Sequence, residues 1–156
     1  MIDSTEQLDK LLEEYDNVLG LSPPRQLNGI DTYLELTTEQ IEQFTPEECV
    51  EVAARLAQFA ISVQRQVNKE SCRVKWCNAI IDRICSREWN NYDQYMKANL
   101  KIELIAQGND VVNKLIKLRN NATVKMENLF NVSSLIKYYS DVMIEGARTK
   151  RRIHER

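Results

Sequence analysis

The longest regular pattern of hydrophobic positions begins at Thr45 and predicts a long amphipathic helix. Thr45, Pro46 and Glu48 form a helix start signal, because a threonine three residues before a glutamate is typical of a capping box. No glycine or proline follows until Gly108. At roughly 100° per residue, one broad apolar face is formed by Val52, Leu56, Phe59, Val63, Val67, Val74, Cys77, Ile81 and Ile84. The pattern predicts a core-facing helix that reaches at least Arg87.

The sequence offers two alternative ends for this helix. Residues 89–93 contain two asparagines and an aspartate, which are modest helix formers and favour caps. The helix therefore either stops there or continues to about residue 107, where Gly108 suits a helix end and Asn109 or Asp110 suits the cap of the next helix. So short a connection predicts that the flanking helices are antiparallel neighbours.

A second apolar pattern with helical spacing extends over residues 110–152. Its apolar positions are mostly three and four residues apart, and residues 131–134 indicate a kink or a new cap. The predicted fold is all-α: a long antiparallel helical hairpin of residues 46–107 and 110–152, within a domain of residues 45–156. Because two helices alone bury little apolar surface, we expect a homo-oligomer or packing against the N-terminal residues.

Residues 1–44 are interpreted as an acidic N-terminal arm with short helices. Residues 3–18 have one apolar side, and Asp3 is the candidate cap of that helix. The apolar side consists of Leu8, Leu11, Leu12, Tyr15 and Val18. Residues 21–31 contain Pro-Pro and Asn-Gly pairs, which predict a linker or loop. Thr37 then predicts the cap of a further helix of one or two turns.

The charge of the chain is distributed very unevenly. The formal net charge is only −2, but residues 1–60 contain 13 acidic and 3 basic side chains. Residues 61–156 contain 10 acidic and 18 basic side chains. This uneven distribution of charge suggests that residues 61–156 bind an anionic partner. The overall pI of about 5.6 is unlike that of a simple basic nucleic-acid binder.

Three clusters of basic residues are candidate nucleic-acid-binding sites. The first lies beside the apolar face of the long helix and comprises Arg65, Lys69, Arg73, Trp76, Arg83 and Arg87. Its lysines and arginines would contact phosphates while Trp76 stacks on a base, as in proteins that bind single strands without sequence preference. The second is a stripe at helical spacing made of Lys114, Lys117 and Lys125. The third is the basic tail, with Arg148, Lys150, Arg151 and Arg152.

Each cluster also has a structural interpretation. The first two resemble ordinary solvated helix faces, with Trp76 then at the edge of the core. Positive charge near a helix C-terminus gains a few tenths of a kcal/mol from the helix dipole, which accounts for one or two of the tail residues. The acidic side chains of the arm are solvated, dock a basic partner, or cover the basic helices of their own or a neighbouring chain.

The sequence contains no motif that points to catalysis or to a cofactor. The single histidine, His154, lies in the tail, and no phosphate-cradling glycine loop is present. The four cysteines, Cys49, Cys72, Cys77 and Cys85, lack CxxC spacing, so we expect reduced cysteines and no metal site. No signal peptide and no apolar run of about 18 residues is present. We therefore expect a cytoplasmic protein that is not an enzyme.

The segment from about Ile61 to Arg152 resembles the recombination mediator proteins of T-even-type phages, the UvsY-like family. The similarity lies in VQRQVNKESCRVKW with Asn68, in the step at Tyr95 and Lys97, in KIELIA and VVNKLIKLR, and in a long terminal helix with a basic end. The resemblance implies a helical, ring-like oligomer located in the host cytoplasm. It also implies a protein that binds single-stranded DNA, helps displace a single-strand-binding protein and loads a RecA-like recombinase.

Two other functions fit the same sequence. One is a phage-type adaptor or inhibitor that docks on a protein partner through its acidic N-terminal arm and does not bind nucleic acid. The other is a structural coiled-coil assembly protein without affinity for polyanions. The acidic N-terminal arm and the acidic pI are not part of the mediator pattern. If the protein binds DNA, the arm is therefore a candidate regulator of that binding.

Overall fold

The computed structural model describes residues 4–18 and 30–154, and their regular secondary structure is entirely helical. The helices are α1 (Thr5–Val18), α2 (Ile30–Leu34), α3 (Thr38–Gln43), α4 (Pro46–Glu88), α5 (Ala98–Gly108), α6 (Asp110–Leu129) and α7 (Val132–His154), with a 3-10 turn at Trp89–Asn91. The all-α prediction is confirmed. Asp3 and most of the predicted linker of residues 21–31 lie outside the described residues.

Capping boxes start α3 and α4 as the sequence predicts. At α4, the Thr45 backbone N–H donates to Glu48 Oε2 at 2.7 Å, and the Glu48 N–H donates to Thr45 Oγ1 at 3.2 Å. Thr37 and Gln40 form the same reciprocal pair at α3. At α1 the Ser4 hydroxyl accepts a hydrogen bond from the Gln7 N–H at 3.2 Å, so Ser4 caps this helix.

The long helix stops at Glu88, so its continuation to residue 107 is wrong and the interruption is confirmed. After the 3-10 turn, Asp93 Oδ1 accepts from the Tyr95 N–H at 2.9 Å, and the Asp93 carbonyl accepts from Met96 at 3.1 Å. Aspartate favours this local bonding over a helix interior. The chain becomes helical again only at Ala98.

Two asparagines separate the later helices. Asn109 Oδ1 accepts from the backbone N–H groups of Val111 and Val112 and thereby caps α6. Asn131 has a φ of 66° and lies between α6 and α7. Asparagine tolerates this left-handed conformation better than most residues, so it provides the predicted break.

The described residues group into two compact units, and α4 contributes to both. The first contains the described residues up to Glu13 together with Val67–Asn128. The second contains the described residues of Glu14–Gln66 and Leu129–Arg156. Each unit has its own hydrophobic cluster.

In the second unit, the N-terminal half of α4 packs against α7. The seam of α4 alternates steps of four and three residues through Cys49, Ala53, Leu56, Ala60 and Val63, all buried. It faces Ile136, Met143 and Ala147 of α7. Ser140 Oγ donates to the Ala53 carbonyl at 2.8 Å and Ser133 Oγ to the Ala60 carbonyl at 2.9 Å. Because contacts move back along α4 as they advance along α7, the two helices are antiparallel, as predicted.

In the first unit, the C-terminal half of α4 packs against α5 and α6. The cluster contains Cys77, Ile81, Cys85, Ile105, Val112 and Leu115. Trp89 and Tyr92, from the segment that interrupts the helix, pack on this cluster. Lys101 is buried, and its Nζ lies 4.9 Å from the centroid of the Trp89 ring, a cation–π contact. The predicted apolar face of α4 is confirmed, since each of its nine members is buried or half-buried.

The cysteines are free thiols, as expected. Cys72 is exposed, whereas Cys49, Cys77 and Cys85 are buried. Burial raises the pKa of the Cys77 and Cys85 thiols. Because the thiolate is the reactive form, these two are poorly reactive while the first unit is folded.

Candidate nucleic-acid interface

Arg73, in the basic cluster of α4, is held by two carboxylates of its own chain. Its Nε and Nη2 donate to Asp9 Oδ1 at 3.1 and 2.8 Å, and its Nη1 donates to Glu70 Oε1 at 2.7 Å. Glu70 is 1% exposed and the Arg73 side chain 19%. Burial alone would lower the pKa of Arg73, but the hydrogen bonds and charges of Asp9 and Glu70 raise it overall. Charge-assisted hydrogen bonds join these three side chains.

The other members of this cluster differ in accessibility. Trp76 is half-buried and packs on the core of the first unit, so the edge-of-core interpretation of this side chain is confirmed. Arg65 and Lys69 are half-buried, whereas Arg83 and Arg87 are exposed. The exposed basic residues of this cluster therefore lie in the last turn and a half of α4, on the same side as Trp76 but about 10 and 16 Å further along the helix.

The lysine stripe of α6 is the most open of the three clusters. Lys114, Lys117 and Lys125 are exposed, and they fall within roughly 80° of each other around the helix. They lie roughly 140–160° around the helix from the buried Val112. The structure gives these lysines no ion pair with any described residue. We call this surface the lysine face.

Amides accompany the lysines on this face. Asn113, Asn121 and Asn128 are exposed on the same side of α6. Such side chains donate and accept hydrogen bonds without adding charge. Asp110, at the start of the helix, is the acidic residue on this side. The face therefore offers net positive charge together with neutral hydrogen-bonding groups.

The lysine face and the basic side of α4 do not form one groove. Arg119 of α6 reaches Asn78 of α4 at 3.5 Å, which marks the side of α4 that meets α6. Trp76 lies roughly 160° around α4 from Asn78. Arg83 and Arg87 share the side of Trp76, so they point away from α6.

The basic tail is the end of α7, and one of its cations, Lys150, is held by backbone groups of the fold. Lys150 Nζ donates to the backbone carbonyls of Ile41, Glu42 and Phe44 at 2.6, 3.1 and 2.5 Å. It thereby binds carbonyl groups at the C-terminal end of α3, where the Ile41 carbonyl also accepts from the Phe44 N–H at 3.3 Å. Arg151 lies 3.4 Å from Glu47 at the start of α4, but both side chains are more than half exposed, so this pair holds Arg151 weakly.

The remaining tail cations are more open. Arg148 forms a pair with Glu145 one turn earlier on α7, at 3.1 Å, and both side chains are well exposed. Such exposed pairs hold their partners weakly. Arg152 is exposed as well. Of the predicted tail site, Arg148, Arg151 and Arg152 are thus the members available to a polyanion.

Sequence reasoning missed the partners of these cations. Asp9 lies 64 positions from Arg73, and Ile41 lies 109 positions from Lys150. One signal was present for Glu70, because the steps of three and four through Val67, Glu70 and Val74 place it on the apolar seam. A carboxylate at a seam position requires a cationic partner when it is buried.

The described residues contain no group of three or more His, Cys, Asp or Glu side chains close enough to hold a metal ion. None of the described helices combines the length and apolar composition needed to cross a bilayer. Comparison of the chain with family models, with curated proteins and with solved structures finds no significant match.

Proposed function

We propose that this protein binds single-stranded nucleic acid without sequence preference, with the lysine face of α6 as its primary contact surface. The observation that carries the proposal is the exposure of Lys114, Lys117 and Lys125 on one side of a helix, with no ion pair to a described carboxylate. Unpaired cations in a row attract phosphates and release the counterions condensed on them.

The dimensions of the lysine face fit an extended strand. Eleven steps along a helix separate Lys114 from Lys125, which corresponds to an axial length of about 16 Å. A strand lying along α6 would meet three ammonium groups, and the exposed asparagines would hydrogen-bond to sugar or base edges. Phosphate contacts of this kind position the strand and carry no sequence information.

The exposed end of the α4 cluster is a secondary contact in this proposal. Arg83 and Arg87 supply charge, and the half-buried Trp76, about 10 and 16 Å along the helix from them, has a ring on which a base could stack. Arg148, Arg151 and Arg152 form a third, weaker contact. Lys150 is assigned to the fold because its ammonium group is engaged with carbonyl groups at the end of α3.

The specific role proposed is that of a recombination mediator that helps load a RecA-like recombinase and displace a single-strand-binding protein. It rests on the resemblance of residues 61–152 to the UvsY-like family. Assembly into a homo-oligomer belongs to the same proposal. It is supported by an exposed apolar seam on α7, formed by Leu135, Tyr139, Val142 and Ile153 at steps of four, three and eleven residues.

A second candidate is a protein-binding adaptor. It is favoured by a run of exposed acidic side chains around α3 and the start of α4: Glu35, Glu39, Glu42, Glu47 and Glu51. Apart from the pairs of Glu47 with Arg151 and of Glu51 with Arg55, these residues form no ion pair with a described residue. A partner with a basic surface would fit this segment.

Competition between strands tests the proposed function. A labelled single-stranded oligonucleotide is bound to the full chain at low salt, and unlabelled single strands or duplex are titrated in. We expect single strands to displace the label at concentrations on the order of tenfold lower than duplex, since an extended strand offers both phosphates and unstacked bases. Equal competition by duplex would contradict the single-strand preference. Absence of binding by the label would favour the adaptor.

A further inference from the structure

We infer that α1 is an autoinhibitory segment that blocks the basic side of α4 against nucleic acid. The inference rests on the proposed function and concerns its regulation. The Asp9 carboxylate occupies the Arg73 guanidinium on the side where a phosphate would bind. A strand therefore reaches the central part of the α4 cluster only after Asp9 has left.

The geometry of Arg73 makes the two ligands mutually exclusive. A guanidinium has five N–H donors, and three donor nitrogens of Arg73 already point at Asp9 or Glu70. Nε and Nη2 form a fork that can hold a carboxylate or a phosphate, and one oxygen, Asp9 Oδ1, accepts from both nitrogens and so occupies that fork. Glu70 is on the same helix and buried, so it remains and keeps the side chain oriented when Asp9 departs.

The attachment of α1 is limited, which makes release feasible. Leu8 is the one fully buried apolar side chain among the described side chains of α1. Leu11 is 50% exposed, and Val18 is 84% exposed. Neither hydrophobic cluster includes a described side chain of α1, although Leu12 is half-buried. Among the described side chains, the burial of Leu8 and the Asp9–Arg73 contact are thus two attachments of this helix.

The negative charge of α1 allows this helix to compete with a polyanion for the basic side of α4. In addition to the half-buried Asp9, α1 has three exposed acidic residues, Glu6, Glu13 and Glu14, and its basic residue is Lys10. Release of the helix removes this negative charge from the basic side of α4. It also opens Arg73, which lies within one helical turn of both Lys69 and Trp76. The cluster predicted from the sequence would then form a continuous stripe from Lys69 to Arg87.

Because they compete for Arg73, binding of nucleic acid and docking of α1 must weaken each other by the same factor.

The first test compares Asp9→Ala with Glu14→Ala, a matched control that removes one carboxylate from an exposed position on the same helix. Single-strand affinity is measured by fluorescence anisotropy at low salt. We expect Asp9→Ala to bind about fivefold more tightly than the unmodified chain, within the usual range of coupling between sites. Glu14→Ala should change affinity by less than about twofold, the effect of net charge alone.

The second test uses the unmodified chain and does not depend on how the variants fold. Hydrogen exchange of the α1 amides is followed with and without saturating oligonucleotide. We expect faster exchange in α1 when the strand is bound, and slower exchange in the second half of α4. Autoinhibition would be overturned if the unmodified chain binds the strand without a change in α1 exchange and if Asp9→Ala and the control bind with equal affinity. The proposed function would then still stand. No binding by any form would overturn both.

Discussion

Replacing Leu56 with alanine should lower the free energy of unfolding of the second unit by about 2–5 kcal/mol. Leu56 is 1% exposed on the seam between α4 and α7, so the substitution leaves a cavity lined by side chains of both helices. Urea denaturation followed by circular dichroism measures the change. Ile61→Ala is the matched control on the same helix, because Ile61 is 53% exposed, and its effect should stay below about 1 kcal/mol.

The cysteines reveal which unit such a substitution loosens. Cys49 is buried in the second unit, and Cys77 and Cys85 are buried in the first. Leu56→Ala should speed thiol labelling of Cys49, and Ile81→Ala should speed labelling of Cys77 and Cys85, because local opening exposes buried thiols. Cys72, which is exposed, reports the labelling rate without protection. Equal acceleration of all three buried thiols in both variants would contradict the assignment of separate cores.

Replacing Lys114, Lys117 and Lys125 together with glutamine should weaken single-strand binding on the order of tenfold or more at low salt. Each lysine that contacts a phosphate contributes about 0.7 to the slope of log affinity against log salt for single strands. The triple variant should therefore show a slope that is shallower by about 2. Anisotropy titrations at several salt concentrations give both quantities, and circular dichroism checks that the helices remain.

The control for this variant changes the same number of charges elsewhere. Lys75, Lys97 and Lys137 are exposed and lie outside the lysine face, so their replacement by glutamine alters net charge equally. This control should retain most of the affinity and nearly the full salt slope. If it weakens binding as much as the first variant does, the attraction depends on overall charge and the lysine face has no special role.

Local signals in the sequence predicted most of the helices, but not the short α2 (Ile30–Leu34). Thr45 and Glu48 start α4, Asn109 caps α6, and Asn131 breaks the last helical segment as expected, because each acts through backbone groups within four residues. The spacing of apolar residues in α4 likewise predicted its buried face. The break after Glu88 was one of two alternatives, since asparagine and aspartate lower helix stability without forbidding a helix.

The partners of the basic residues could not be predicted in the same way. Helical spacing placed Arg73 on a basic side of α4, but only the tertiary structure brings Asp9 to it. In the sequence Lys150 is one of several basic residues of the tail, whereas in the structure its ammonium group binds carbonyl groups at the end of α3. Lys114 and Lys117 did keep the exposed positions that the sequence suggested, because no other described element covers that side of α6.

The most direct test of the central claim is the affinity of the full chain for a labelled single-stranded oligonucleotide at low and at moderate salt. We predict clear binding at low salt that falls steeply as salt rises, because lysine contacts release counterions from the strand. Absence of binding at low salt, or binding that does not respond to salt, would contradict the proposal that the lysine face binds nucleic acid.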